Sequence, residues 1–307
     1  MNTDLHVVLG ASGAIGQAVV AELLTRGHRV RAVQRGEVSP HAQAEIHHAD
    51  ITIAAEVAEA CAGATVVYQC AQPAYARWTE QFVPMTGAVL DGVRAAGAKL
   101  VVADNLYMYG PVDGPMTEDL PYAADFPKGR IRAEVARMVL DSGIPATMGR
   151  ASDYYGPGGL NTTIGPTIFA AALAGRTARW VGPLDQPHTV SYLPDIAAGL
   201  VTLGERPEAD GRAWHLPATE PVTGRQFLDV VFAALGKPAK VAGLGRGMQR
   251  AIGLFNPVVR ELGQTWYQRD RPFVSDFSAY EKVFGPGRVT PLAQGIADTL
   301  AWFSVSS

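Results

Sequence analysis

The chain has 307 residues, a formal net charge of -3 from 26 Lys and Arg against 29 Asp and Glu, and 48% hydrophobic residues, enough for one large core or a larger domain with a smaller appendage. The balanced charge, without a long basic run, argues against nucleic-acid binding. No segment approaches the roughly 20 apolar residues of a bilayer span, and "MNTDLHVVLG" lacks a basic stretch ahead of an apolar run, so a cytoplasmic protein with no membrane partner is expected.

In chain order, "HVVLG", "RVRAVQ", "AEIHHAD", "TVVYQCA", "KLVVAD" and "ATMGRAS" read as short apolar strands. Helix-period stretches alternate with them: "IGQAVVAELLTRG", "VLDGVRAAG" and "RIRAEVARMVLDSG", each closed by a glycine, at Gly27, Gly97 and Gly143. The alternation predicts an α/β fold, a doubly wound parallel sheet of Rossmann type. After about residue 155 the strands thin out and Gly and Pro punctuate short elements. Residues 1–155 are therefore read as the dinucleotide-binding domain and 156–307 as mainly a smaller, interleaved substrate lobe, with about 188–205 returning to the first domain. Cys61 and Cys70 are too few for a disulfide framework and lack zinc spacing, so buried thiols are expected. No His, Asp and Glu spacing suggests a metal.

"VVLGASGAIGQAVV" puts Gly10, Gly13 and Gly16 between the first strand and the first helix. Glycine there permits a tight turn and close approach of the backbone to a pyrophosphate, whose charge suits the helix N-terminus. Ser12, Ala14 and Ile15 complete the cofactor-binding loop. The second strand ends in Gln34 and Arg35, where a carboxylate for ribose hydroxyls is commonly found. An arginine can hold a 2′-phosphate instead, so NADP(H) is the expected cofactor, with NAD(H) the alternative.

These segments resemble the extended short-chain dehydrogenase/reductase family, the NAD-dependent epimerase/dehydratase group. "HADI" is similar to the segment in which an aspartate, here Asp50 followed by Ile51, meets the adenine. "VVYQCA" resembles the fourth-strand segment lining the cofactor, which adds Cys70, Ala71 and Gln72. "NLYMYG", "GRASDYYGPGG", "HTVSYLPDIAAGL" and "VFGPGRVTPLAQGIADTLAWF" resemble further family segments in the same order. Ala151 falls in the second of these, near the expected nicotinamide.

The resemblance also implies a catalytic tyrosine with a lysine four residues on, and a serine or threonine beside them. The corresponding positions here are Phe126, Arg130 and Asn105. Polar residues crowd the same loops. Tyr107 and Tyr109 follow the fifth strand, where open α/β sheets bind ligands, and in an extended stretch they point the same way. Tyr107 is taken as the replacement proton donor, Lys128 as the charge that lowers its pKa and meets the ribose, and Asn105 as the oxyanion partner. Tyr75, Trp78, Tyr109, Tyr154 and Trp180 are expected to line an apolar or ring-accepting substrate site. "MQRAIGLFNPVVREL" reads as core or a dimer face. Whether Arg246, Arg250, Arg269 and Arg271 converge as a diphosphate clamp is left open.

The reaction expected is reduction of a carbonyl or conjugated double bond in a small molecule. The alternatives are epimerisation or dehydration of a sugar nucleotide, and a non-catalytic NADP(H)-binding sensor. A homodimer is the family's expectation.

Overall fold

The computed structural model describes residues 4–36 and 41–305. The expectation drawn from the N-terminal stretch falls partly on residues 1–3, outside the described residues.

Six strands, β1 (Leu5–Leu9), β2 (Arg29–Gln34), β3 (Glu45–His48), β4 (Ala64–Gln69), β5 (Lys99–Asp104) and β6 (Ala146–Arg150), pair in parallel in the order β6-β5-β4-β1-β2-β3. A seventh, Ala213–His215, extends the sheet beyond β6, also in parallel. Every residue of β1 and β6 is buried, the pattern of strands covered on both faces. The strand order reverses between β1 and β4, which opens a crevice at their C-terminal ends.

The first six helices in chain order are α1 (Ala14–Thr25), α2 (Ala54–Ala60), α3 (Trp78–Ala96), α4 (Pro127–Leu140), α5 (Phe169–Leu173) and α6 (Leu193–Glu205), and further helices follow in the C-terminal part. One core joins α2, α3 and α4 to the sheet through Val57, Phe82, Val89, Val93, Val135 and Val139. A second joins α1 and α6 through Val19, Val20, Leu23, Ile196, Leu200 and Leu203. At the end of α1, Gly27 takes φ +80°, its amide donates to Leu24 O and that of His28 to Leu23 O, which turns the chain into β2. A third core, in the C-terminal part, gathers Phe169, Phe227, Phe232, Ile296 and Phe303 around Tyr155, which lies on β7 (Asp153–Tyr155).

Two helix starts differ from the sequence expectation. The helix expected from Val89 begins at Trp78 and runs through Pro84, which reads locally as a breaker. The helix expected from Arg130 begins at Pro127, with Phe126 as its extended N-cap; proline suits a first turn, where its missing amide proton has no partner to lose. The strand Ala213–His215 is too short to carry a periodicity of its own. The stretch expected as core or dimer face exposes Met248, Ile252, Leu254 and Phe255 to solvent. Among the described residues, no helix is long and apolar enough to cross a membrane.

Candidate active site

The glycine loop is fixed by close contacts. Gly10 has φ +82°, and a Cβ there would lie 2.6 Å from the Ala71 Cβ at the end of β4. A Cβ on Gly16 would lie 2.2 Å from the Gly10 carbonyl oxygen. The amides of Gly10 and Ala11 donate to Val33 O at 3.0 and 3.1 Å, tying the loop to β2. Ser12 and Gly13 are exposed, Ala14 and Ile15 form the first turn of α1, and no side chain caps that N-terminus. The turn thus offers its amides to an anion. On either side of β1, the buried Oε1 atoms of Gln34 and Gln69 have no hydrogen-bond partner. An uncapped helix start, a cradle that a Cβ would fill and unmet polar capacity together fit a dinucleotide.

At the adenine end, Arg35 is exposed just past β2. Asp50 accepts from the Thr52 amide at 2.9 Å and the Thr52 hydroxyl at 2.7 Å. These bonds, with the charge of Arg35, hold its carboxyl below the usual range. Ile51 beside it is half-buried against the α2–α4 core. Burial pushes the Cys61 and Cys70 thiols up to about 12, so neither is a nucleophile at neutral pH.

Past β5, residues Tyr107–Tyr109 form a 3-10 turn. The extended stretch expected from sequence would send the two tyrosines the same way; the turn separates them, at about 120° per residue. Tyr109 is buried, and its hydroxyl accepts from Arg150 Nη1 at 2.6 Å and donates to His215 Nε2, 2.8 Å away. Asp104 is also buried, with Arg150 Nε and Arg132 Nη1 each 3.1 Å from its carboxylate. Arg132 reaches on to Gln72 Oε1 at 2.7 Å. Tyr109 therefore belongs to an internal polar network, which corrects its reading as a substrate residue.

Tyr107 faces the other way. Its amide donates to Asn105 Oδ1 at 3.1 Å, so Asn105 shapes the turn that presents it. Burial, followed by the neighbouring Tyr75, raises its phenol well above the usual value, against the pull of Arg269. Arg132 is coupled electrostatically to both Tyr107 and Tyr75. The Tyr75 hydroxyl is buried and makes no hydrogen bond of acceptable geometry, although Tyr107 and Thr265 are close enough to bias its proton. Trp78 is enclosed in the first turn of α3, its indole donating to Pro73 O at 3.1 Å and Arg132 stacked on its ring. It forms the floor under Tyr75 and Tyr107, a correction to its expected role as a direct substrate contact. The Lys128 ammonium lies 3.8 Å over the Tyr75 ring and 3.1 Å from Glu261. The cations whose fields reach Tyr107 are thus Arg269 and Arg132, in place of the expected Lys128.

Beyond β6, Ala151 is buried and donates its amide to Asp104 O at 3.1 Å. Asp153 meets Arg269 at 2.8 Å and His188 Nε2 at 2.9 Å. Burial opposes its ionised form, but Arg269 and His188 outweigh that and hold it well below the usual carboxylate range. Tyr154, next along β7, points to the opposite face and packs on the α1–α6 core. Trp180 is buried against Phe227 and Gly224 in the C-terminal core, which corrects its reading as a substrate residue. Phe126 packs on Tyr267, and Arg130 is exposed and donates to Asp125 O. Among the described residues, no three His, Cys, Asp or Glu are grouped to hold a metal. The association of Asp153, His188 and Arg269 escaped the sequence reading because three distant segments supply it, with no local spacing to signal it.

A switch-point crevice carrying a glycine loop at the start of α1 is the architecture of a dinucleotide-binding protein. A family model of the NAD dependent epimerase/dehydratase family matches residues 6–216, and the chain belongs to that family, among NAD(P)-dependent oxidoreductases. It is 28% identical over 253 residues to a 3-diazoavenalumate denitrifying reductase of a Streptomyces species, covering 76% of this chain and 82% of the relative. It is 27% identical over 255 residues to the decarboxylating sterol-4-alpha-carboxylate 3-dehydrogenase of Mus musculus, covering 76% and 69%. In fold it is similar to dTDP-glucose 4,6-dehydratase from Bacillus anthracis in complex with NAD, with a TM-score of 0.82 at 16% identity over 99% of this chain and 98% of that one.

Proposed function

We propose that this chain is an NADPH-dependent reductase acting on a carbonyl or conjugated double bond of a small, largely apolar or ring-bearing molecule, with Tyr107 as the proton donor. The observation that carries the reading is the place of the Tyr107 phenol, half-buried beside Tyr75 in the turn past β5 and protonated at neutral pH. A phenol that stays protonated can hydrogen-bond a developing oxyanion and pass its proton on as the negative charge builds, but it is not available as a base at neutral pH. Oxidising a sugar hydroxyl, as an epimerase does, needs a base. A diphosphate clamp also lacks support: Arg246 and Arg271 lie against Asp270 at the surface, Arg250 is exposed, and Arg269 is buried on Asp153.

The dinucleotide, when bound, supplies the hydride. Gly10, Ser12, Gly13, Ala14, Ile15 and Gly16 would hold its pyrophosphate, Arg35 its 2′-phosphate, and Asp50 and Ile51 its adenine end. Cys70, Ala71, Gln72 and Ala151 would line its path to the reacting end. Asn105 orients the turn, and Tyr75 stands beside Tyr107 on the substrate side. Lys128 acts on the substrate side as well. Residues 1–155, with about 188–205, serve the cofactor, and the remainder serves the substrate.

The test titrates the protein with NADPH and NADH by fluorescence, then screens carbonyl and enone compounds for cofactor oxidation. Tight NADPH binding with turnover that disappears in Tyr107→Phe supports the reading. Cofactor binding without turnover on any compound favours a sensor, and turnover that survives Tyr107→Phe removes Tyr107 as donor.

A further inference from the structure

Lys128 has a buried ammonium, its side chain 3% exposed. It donates to the Tyr75 carbonyl oxygen at 2.5 Å and lies over the Tyr75 and Trp78 rings at 3.8 and 5.1 Å. A buried cation needs an anion close by, because loss of hydration is otherwise uncompensated. The anion present is the carboxylate of Glu261, which comes from the far lobe at the end of the short helix Pro257–Glu261.

Several features make this an anion site that Glu261 only fills. Lys128 stands in the first turn of the 14-residue helix α4, whose N-cap Phe126 offers no side-chain acceptor and whose first turn has no acidic residue. In that turn Pro127 has no amide proton and the Lys128 amide donates to Gln264 Oε1 at 3.4 Å, so the segment that carries Glu261 meets both the ammonium and the positive end of the helix. Glu261 is held loosely: its side chain is 24% exposed, and among the described residues it accepts, besides Lys128, only from Gln264 of its own segment, at 2.8 Å. Near it the hydroxyls of Tyr75 and Tyr267 are buried and, among the described residues, neither completes a hydrogen bond, although Tyr107 and Thr265 lie by the first and Gln268 by the second.

We infer that Lys128 is the recognition site for a carboxylate on the substrate, and that Glu261 is an internal stand-in that the substrate displaces. The inference rests on reading the crevice around Tyr107 as the substrate site, and it names the substrate class: an apolar or aromatic molecule with a carboxylate placed apart from its reducible bond. Tyr75 then packs against the body of the molecule, over the floor that Trp78 provides, and the Glu261 segment moves aside when it enters.

The test is binding, measured by calorimetry on the NADPH-saturated full chain with acetate, benzoate and cinnamate, each against its neutral amide. At least one carboxylate is expected to bind about tenfold tighter than its amide. Glu261→Gln removes the competing anion and strengthens carboxylate binding about tenfold while leaving the amides unchanged; Lys128→Gln abolishes the preference, and Lys128→Arg restores part of it. Thermal unfolding of each variant verifies that it is folded. Equal affinity of acids and amides, or no binding of any of the three acids even to Glu261→Gln, overturns the inference. Because turnover is not read, a failed reductase assay leaves this result standing, and the two ideas fail separately.

Discussion

The Phe126 ring packs 5.5 Å from the Tyr267 ring, centroid to centroid. By the resemblance described above this is the position expected for the family's catalytic phenol, and here it makes a packing contact with the C-terminal part of the chain. The neighbouring Arg130, at the lysine position, is exposed and bonds the Asp125 carbonyl. In the function proposed above, proton chemistry falls instead to Tyr107 in the turn after β5.

Returning the missing hydroxyl is therefore expected to do little. Phe126→Tyr is expected to change kcat less than about twofold, since Arg130, at the lysine position, is turned to the Asp125 carbonyl. Tyr107→Phe is expected to lower kcat by about 10²–10⁴, the usual worth of a positioned general acid, with the NADPH dissociation constant unchanged. Steady-state kinetics of both variants on one substrate decides between them.

The Tyr107 phenol stays protonated well above its usual pKa of 10. Its role as an acid predicts a kcat that does not fall from its ionisation anywhere between pH 6 and 9. An alkaline loss centred below pH 9 that vanishes in Tyr107→Phe would contradict the environment described for it.

Arg35 is exposed beside Asp50. Arg35→Ala should weaken NADPH binding by about 1.5–3 kcal/mol, the scale of a charged hydrogen bond, and leave NADH binding within about twofold. Parallel fluorescence titrations with the two nucleotides give the answer directly.

In the glycine loop, Gly16→Ala sets a methyl 2.2 Å from the Gly10 carbonyl oxygen. The obstacle is backbone, which cannot step aside, so the substitution should cost about 3 kcal/mol, the upper end of an overpacking penalty. Denaturant unfolding of wild type and variant measures the loss, and the variant should also lose dinucleotide binding.

Stability should fall as the pH drops from neutral. Burial, with Arg150 close by, pushes His215 down to about 4, and burial with His28 does the same to His6. Both folded values lie below the unfolded value of 6.5, so between pH 6.5 and 4 the unfolded chain takes up protons that the folded chain refuses. Stability is full above that window and is lost within it as the pH falls, by up to about 1.4 kcal/mol per pH unit for each histidine. Asp153 behaves differently: its depressed pKa keeps its contribution in place until the pH drops below the unfolded carboxylate range near 4. Urea unfolding at pH 7, 5.5 and 4.5 should show the decline, and His215→Gln should flatten it.

The sequence by itself determined the sheet and the cofactor loop. Apolar runs such as "HVVLG" and "KLVVAD" and the spacing of Gly10, Gly13 and Gly16 are local signals, and strands buried on both faces or a tight turn at a helix start follow from residues a few positions apart. Helix starts were less legible: Pro84 hid the first half of α3, and Pro127 is a first-turn residue only once the chain before it is known to be extended. The tertiary structure decided the rest of the site. Tyr107 and Tyr109 look alike in "NLYMYG", yet a 3-10 turn sends one to Tyr75 and the other to Arg150 and His215. Trp180 and Trp78 look like ligand contacts until packing encloses them. Asp153 with His188 and Arg269, and Lys128 with Glu261, join segments far apart in the chain. The range of a charge or a hydrogen bond is set by distance in space, and only the folded chain brings those groups within it.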